Sequence, residues 1–293
     1  MAFVSKSALT RAHLKTIPFT NRNEILSKIT KLNDYFNTMK GQPTDLRKAN
    51  LLRLHKGLTD YRYKLGECLS VEMGKPITQS LQEVDRSIME SKYYADNIDN
   101  FQTSKLMKIP NAKKSGYRIK PLGVIHKIAP FNFPLALIIK MVAPNIAAGN
   151  AILARPAQTL PMMGEALLNI IQEYDVEGFD IVFSDPNDTE FIIQDPRIHG
   201  VSFTGSMNAG STIAALAGKH LKKSVLELGG SDPFVVMEDA DLDLAIDLAV
   251  AGRIRNAGQI CISPKRFIIA EKFFDRFTEQ LANRVRKVKL GDP

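Results

Sequence analysis

Ile25, Ile29, Leu32 and Phe36 recur three to four residues apart with polar residues between them, the spacing of one apolar stripe along a helix. Two further helical stretches are predicted, Leu46 to Glu72 and Thr78 to Asn97, punctuated by Gly41-Gln42-Pro43 and Gly74-Lys75-Pro76. Residues 23–100 therefore form a helical lead-in. The polar, lysine-rich segment 105–121, turning at Pro110-Asn111-Ala112, predicts a hairpin arm that projects from the body.

After Leu122 the pattern changes to short β-rich runs alternating with helices. Strands are expected at Val124–Ala129, Ala151–Ala154, Asp180–Phe183, Gly200–Phe203, Ser224–Leu228 and Phe234–Met237, with helices beginning near Pro134, Leu160, Thr189, Ser206 and Leu242. Such alternation predicts an α/β fold: a Rossmann-like parallel sheet with helices on both faces and ligands at the carboxyl ends of the strands. One more strand, Arg266–Ala270, and a helix from Phe273 follow before the chain stops at Gly291-Asp292-Pro293. We therefore expect residues 1–104 and 122–240 to form one α/β unit, 105–121 a projecting arm, and 241–293 the start of an incomplete second α/β domain.

Composition narrows the function classes. Hydrophobic residues make up 44% and charged residues 24% of 293 residues, proportions ordinary for a water-soluble globule. With no uncharged apolar run of membrane-spanning length, no membrane partner is expected. The net charge of +8 is spread among acidic residues, and the densest basic runs, Lys113–Lys120 and Arg284–Lys289, lack interleaved aromatics, so no nucleic-acid partner is expected. Two cysteines, Cys68 and Cys261, form neither a disulfide framework nor a metal-ligand spacing, and the five histidines are scattered, so no metal is expected. Residues 1–22 carry Lys6, Arg11, Lys15 and Arg22 and no acidic residue, as organelle transit peptides do, yet show no amphipathic period. A cytoplasmic location is the expectation, with a mitochondrial one as the alternative.

Three separate segments supply the roles that thiol-based acyl chemistry requires. Asn256-Ala257-Gly258-Gln259-Ile260-Cys261 displays a thiol just past a glycine turn. Val225-Leu226-Glu227-Leu228 sets a carboxylate in an apolar run, where burial would raise its pKa toward that of a general base. Pro130-Phe131-Asn132-Phe133-Pro134 holds a carboxamide at a strand-to-helix junction, a donor for an oxyanion. A fourth segment, Phe203-Thr204-Gly205-Ser206-Met207-Asn208-Ala209-Gly210, spans a strand and a helix N-terminus, where phosphate is attracted. Ser211 stands where an NTPase loop requires lysine, and the spacing G-x-G-x-x-G is absent. Arg155, at the end of a strand and before Pro156, could meet a ribose or its phosphate.

These segments, together with Glu72-Met73-Gly74-Lys75-Pro76, Pro121-Leu122-Gly123-Val124 and Leu226-Glu227-Leu228-Gly229-Gly230, resemble the aldehyde dehydrogenase superfamily over nearly the whole chain. Gly229-Gly230-Ser231-Asp232-Pro233-Phe234 looks most like its succinate-semialdehyde dehydrogenase branch. The resemblance implies oxidation of an aldehyde, a semialdehyde such as succinic semialdehyde, by NAD or NADP, with Cys261 as nucleophile, Asn132 and the Cys261 N–H as oxyanion hole, and Glu227 activating water. It implies that Gly205, Ser206 and Gly210 hold the pyrophosphate, that Arg155 and Gln158 read the adenosine ribose, and that Ala129, Pro130, Phe131 and Leu228 line the cofactor. Arg155 stands where the family usually has lysine and Gln158 where NAD-preferring members often have glutamate, so NADP is allowed and favoured. Phe131 replaces the usual tryptophan and Met207 a threonine. The resemblance implies that 1–104 and 122–240 are the NAD(P)-binding domain and 105–121 an oligomerisation arm, since family members form homo-oligomers, and family members continue well beyond Pro293. For this chain the alternative is a non-catalytic, nucleotide-binding or structural remnant of that fold, with exposed apolar surface and little or no turnover.

Overall fold

Asn21 starts the first long helix by a reciprocal cap: its side chain accepts the Glu24 N–H at 3.0 Å while the Glu24 carboxylate accepts the Asn21 N–H. The computed structural model describes residues 2–101 and 105–293; Met1 and residues 102–104, which the expected unit 1–104 includes, lie outside the described residues. In chain order the elements begin with β1 (Ala2–Lys6) and β2 (His13–Pro18). Helices α1 (Arg22–Met39), α2 (Thr44–Asp60), α3 (Arg62–Met73) and α4 (Ile77–Asp96) follow, then the short β3 (Lys105–Met107) and β4 (Ser115–Tyr117).

The alternating region comprises β5 (Val124–Ile128), α5 (Pro134–Ala148), β6 (Ala151–Arg155), α6 (Pro161–Glu173), β7 (Phe179–Ile181), α7 (Thr189–Gln194), β8 (Ile198–Thr204), α8 (Met207–Lys219) and β9 (Lys223–Glu227). It ends with β10 (Asp232–Val236), α9 (Leu242–Ile254), β11 (Pro264–Ile269) and α10 (Phe274–Arg286). Strands β5 to β9 form one parallel sheet in the order β7-β6-β5-β8-β9. The chain runs outward from β5 to β7, then returns to place β8 on the other side of β5, which is the doubly wound pattern. Its crevice opens between the carboxyl ends of β5 and β8.

Every residue of β5 and β6 is buried, as expected for central strands covered on both faces. Ile125, Ile152 and Ala154 pack into the large core with Leu135, Ile138 and Val142 of α5 and Leu167 and Ile170 of α6. Ile25, Ile29, Leu32 and Phe36 of α1 cover the opposite face against Val124, Leu153 and Val182.

Residues 2–18 form an antiparallel hairpin whose Phe3 is completely buried, 5.7 Å from Phe19 and 5.1 Å from Phe183 between ring centroids. Two expectations change. The helix predicted over Leu46–Glu72 is two, broken at Tyr61, whose ψ of 7° is not helical. The strand predicted at Phe234–Met237 forms, but pairs in parallel with β11 and not with the five-stranded sheet. With α9 and α10 this pair builds a separate small core of Val236, Leu242, Ile246, Ala249 and Phe277. Around it Met237, Leu244, Leu248, Ile262 and Phe274 remain exposed. The lysine-rich hairpin forms as expected, with Asn111 at φ 65° in its turn and Leu106 and Tyr117 exposed. No described helix is long and apolar enough to cross a membrane.

His126, in the middle of β5, is fully buried and bonded through Nδ1 to the Leu153 carbonyl at 2.9 Å, while its Nε2 has no partner among the described residues. Burial holds the imidazole neutral and pushes its pKa down to about 4. Between about pH 6.5 and that value the unfolded chain binds a proton that the native chain refuses, so stability falls as pH drops through this window. His126→Gln should remove that slope. Urea unfolding at pH 7.5 and 4.5 should show the wild type losing about 2–3 kcal/mol more than the variant; parallel losses would refute it.

Candidate active site

The loop after β5 places Asn132 just before α5, whose Pro134 occupies the first turn, where a missing N–H costs nothing. The Asn132 Nδ2 donates to the carbonyl of Gln259 at 2.9 Å, and its Oδ1 accepts the Phe133 N–H at 3.1 Å. Asn256 Nδ2 in turn donates to the Asn132 carbonyl at 2.9 Å and to the Gln259 carbonyl at 3.2 Å. Two carboxamides therefore clamp the loop that carries Cys261. The second N–H of the Asn132 amide remains available for an oxyanion.

That loop is wound against its preference. Asn256, Ala257 and Gly258 take φ of 56°, 53° and 75°, a left-handed run in which Ala257 is strained and Gly258 is not. Asn256 is buried and its N–H is held by the Gln79 Oε1 at 2.8 Å. Lys265 Nζ donates to the Cys261 carbonyl at 2.8 Å, and Arg253 Nη1 to the Gly258 carbonyl at 3.1 Å. The result is an exposed Cys261 on a loop secured from three sides. Cys68, by contrast, is buried, and burial pushes its thiol up to about 11.

Glu227 ends β9, in register with Thr204, and its carbonyl accepts the Gly205 N–H at 3.0 Å. The expectation of burial fails: Glu227 is exposed, because β9 is the edge strand of the sheet and its neighbours Lys223, Ser224 and Val225 are exposed with it. Its segment does approach the thiol loop. A Cβ built on Gly230 would lie 3.6 Å from the Cys261 carbonyl.

The cofactor candidates lie at the carboxyl ends of four neighbouring strands: Ala129, Pro130 and Phe131 after β5, Arg155 and Gln158 at and after the end of β6, Gly205, Ser206 and Gly210 after β8, and Leu228 after β9. Ser206 caps α8 by accepting the Ala209 N–H at 3.3 Å, which leaves the helix N-terminus facing the strand ends. Gly210 lets the Leu228 side chain lie against the start of α8, since a Cβ there would sit 2.4 Å from the Leu228 Cδ2. Ala129 is buried and its N–H is held by the Arg155 carbonyl at 2.9 Å, while Phe131 is exposed at the mouth. Arg155 is buried, stacked 5.2 Å from the Phe3 ring centroid, with Nε on the Ser184 carbonyl at 3.0 Å. Its Nη2 has no partner among the described residues. Gln158 is exposed and its amide reaches the Ala2 carbonyl at 3.3 Å. A buried guanidinium with an unfilled donor and an open helix N-terminus fit a phosphorylated nucleotide. A separate groove of about 520 Å³, bordered by Phe131, Gln259, Glu72, Lys6 and Arg11, adjoins the loop but does not contain Asn132, Glu227 or Cys261.

Sequence reasoning missed the buried pair beneath Asn132. Lys75 and Glu83 form an ion pair with side chains 1% exposed, and Lys75 Nζ also donates to the Asn132 carbonyl at 2.9 Å. Glu83 Oε1 accepts the N–H groups of Leu135 and Ala136 at 3.0 Å, capping α5 from a different helix. Glu72 does the same for α6 through Met162 and Met163, and its burial raises its pKa to about 6. The Glu72–Pro76 segment was legible as a motif, but nothing local in it tells which helix its side chains will reach.

The model of the aldehyde dehydrogenase family matches residues 2–293. The succinate-semialdehyde dehydrogenase [NADP(+)] of Deinococcus radiodurans is 32% identical over 99% of this chain and 61% of that protein. A succinate semialdehyde dehydrogenase [NAD(P)+] of Escherichia coli is 34% identical over 99% of the chain and 63% of its own length. Among solved structures, the Streptococcus pyogenes succinic semialdehyde dehydrogenase in complex with NADP+ superposes with a TM-score of 0.95 at 32% identity, covering 100% of this chain and 65% of that one. The chain thus spans 61 to 65% of the length of these relatives.

Proposed function

The chain belongs to the aldehyde dehydrogenase family, and from that premise we propose that it carries the nucleophile and the cofactor cleft of an NADP-dependent semialdehyde dehydrogenase. The observation that carries the reading is the hydrogen bond from Asn132 to the Gln259 carbonyl, which brings the oxyanion donor to the loop of the exposed Cys261.

In this reading the Cys261 thiolate adds to the aldehyde carbon, and the new alkoxide is met by the Asn132 amide and the Cys261 N–H. The bound nucleotide supplies one thing, an acceptor for the hydride that leaves that carbon. Glu227 then takes a proton from water, the hydroxide adds to the thioester, and the carboxylic acid and the thiolate separate. Arg155 would hold the adenosine ribose and its 2′-phosphate, with no carboxylate at Gln158 to oppose it. Ser206 and the Gly205 to Gly210 turn would hold the pyrophosphate, and the exposed hairpin arm would pair with a second copy in an oligomer. A cytoplasmic, reducing setting belongs to the proposal because the reaction needs a free thiol.

One observation favours a second reading. Glu227 is exposed, so the general base lacks the enclosure that excludes bulk water, and the chain as it stands would bind nucleotide without turnover.

NADPH absorbance with succinic semialdehyde, with calorimetry of NADP+ in parallel, separates the two. We expect NADP+ to bind more tightly than NAD+, and Arg155→Met to weaken NADP+ by about tenfold or more while leaving NAD+ less affected. Absence of any nucleotide binding would refute both readings.

A further inference from the structure

Lys127 is a lysine in the middle of a parallel sheet, 2% exposed, and it makes no ion pair among the described residues. Its register is informative. Lys127 of β5 pairs with Ser202 of β8, and Thr204 of β8 pairs with Glu227 of β9. Residues two apart on a strand share a face, so Lys127, Ser202, Thr204 and Glu227 stand on one face of the sheet, across the β5–β8 crevice. The Nζ donates to the Thr204 Oγ1 at 2.7 Å and to the Ser202 Oγ at 3.4 Å, and its third N–H has no acceptor among the described residues. Thr204 and Glu227 occupy adjacent strands, about 4.8 Å apart.

We propose that Lys127 is a positioning residue for Glu227: its buried ammonium, tied to Thr204 across the crevice, draws that carboxylate toward the cleft. The proposal rests on Glu227 as the base of the preceding section, and it supplies what burial does not. An exposed carboxylate is kept on the cleft side by a fixed cation that bulk water does not reach. The charges that act on the ammonium are those of Glu227 on β9, which favours its charged form, and Lys140 on α5, which opposes it. Burial pushes Lys127 down to about 8, and Glu227 opposes that shift. Burial therefore makes the charge costly to the fold at neutral pH, so a structural role is a poor account of it.

The test is an NMR titration of carboxyl-labelled glutamate in the whole chain, with Glu227→Gln assigning the resonance. Lys127→Met should raise the Glu227 midpoint by about half a pH unit or more, and Lys127→Arg should keep it near the wild-type value. Reciprocally, Glu227→Gln, a surface change that leaves folding intact, should lower the Lys127 midpoint seen at its Cε resonance. A Glu227 midpoint unmoved in Lys127→Met, or a Lys127 midpoint unmoved in Glu227→Gln, would overturn the proposal. Neither readout needs turnover or bound nucleotide, so a failure of the dehydrogenase reading would show separately, in the binding and absorbance experiments.

Discussion

Cys261→Ser should abolish two signals together: rapid alkylation of one thiol per chain by iodoacetamide, and any aldehyde-dependent formation of NADPH. The first follows from exposure. With its thiol pushed up to about 11, Cys68 is ionised in about one molecule in a thousand at pH 8, and it is buried as well, so Cys261 should carry nearly all of the labelling. The second follows from chemistry, since a serine hydroxyl at neutral pH supplies almost no alkoxide and the thioester route is closed. Where the wild type turns over, the loss should reach at least about a thousandfold. Peptide mapping of the labelled chain and a stopped-flow absorbance trace measure the two effects. Label on Cys68, or a serine variant that retains a tenth of the rate, would sink the assignment.

The largest effect on stability is expected at Lys75 and Glu83. Glu83→Ala would strand a buried ammonium and leave the Leu135 and Ala136 N–H groups at the start of α5 without their acceptor. Lys75→Met would strand a buried carboxylate instead. Breaking such a pair by removing one member costs about 3–5 kcal/mol, because the survivor loses both water and partner. The double variant Lys75→Met with Glu83→Leu should cost less than the two singles summed, by about 2 kcal/mol or more, since no unpaired charge remains. Lys75 also holds the Asn132 carbonyl and lies 4.4 Å from the Phe133 ring centroid, so the double variant should recover stability without recovering the site. Urea unfolding gives the energies and iodoacetamide kinetics at Cys261 report the loop; single variants within about 1 kcal/mol of wild type would contradict the argument.

Much of this was legible along the chain. The period of Ile25, Ile29, Leu32 and Phe36 is a local property, as is the continuous apolar character of β5 and β6, and both found their elements within a residue or two. The Phe203–Gly210 turn and the order of the Asn132, Glu227 and Cys261 segments were also visible, because turn and cap chemistry is written in neighbouring residues. The family followed from those segments.

What remained hidden depends on partners distant in sequence. Hydrophobic period does not tell which sheet a strand joins, so β10 was placed with the wrong neighbours. Nor does an apolar context tell whether a strand is central or at an edge; Val225-Leu226-Glu227-Leu228 reads as buried, and it is the edge position of β9 that exposes Glu227. Lys75, Glu83 and Lys127 look like surface charges in one dimension, and only packing shows that helix N-termini and strand hydroxyls have drawn them inside. Short-range sequence chose the secondary structure and the chemical groups, whereas the burial and pairing of those groups were decided by tertiary contacts that no local pattern encodes.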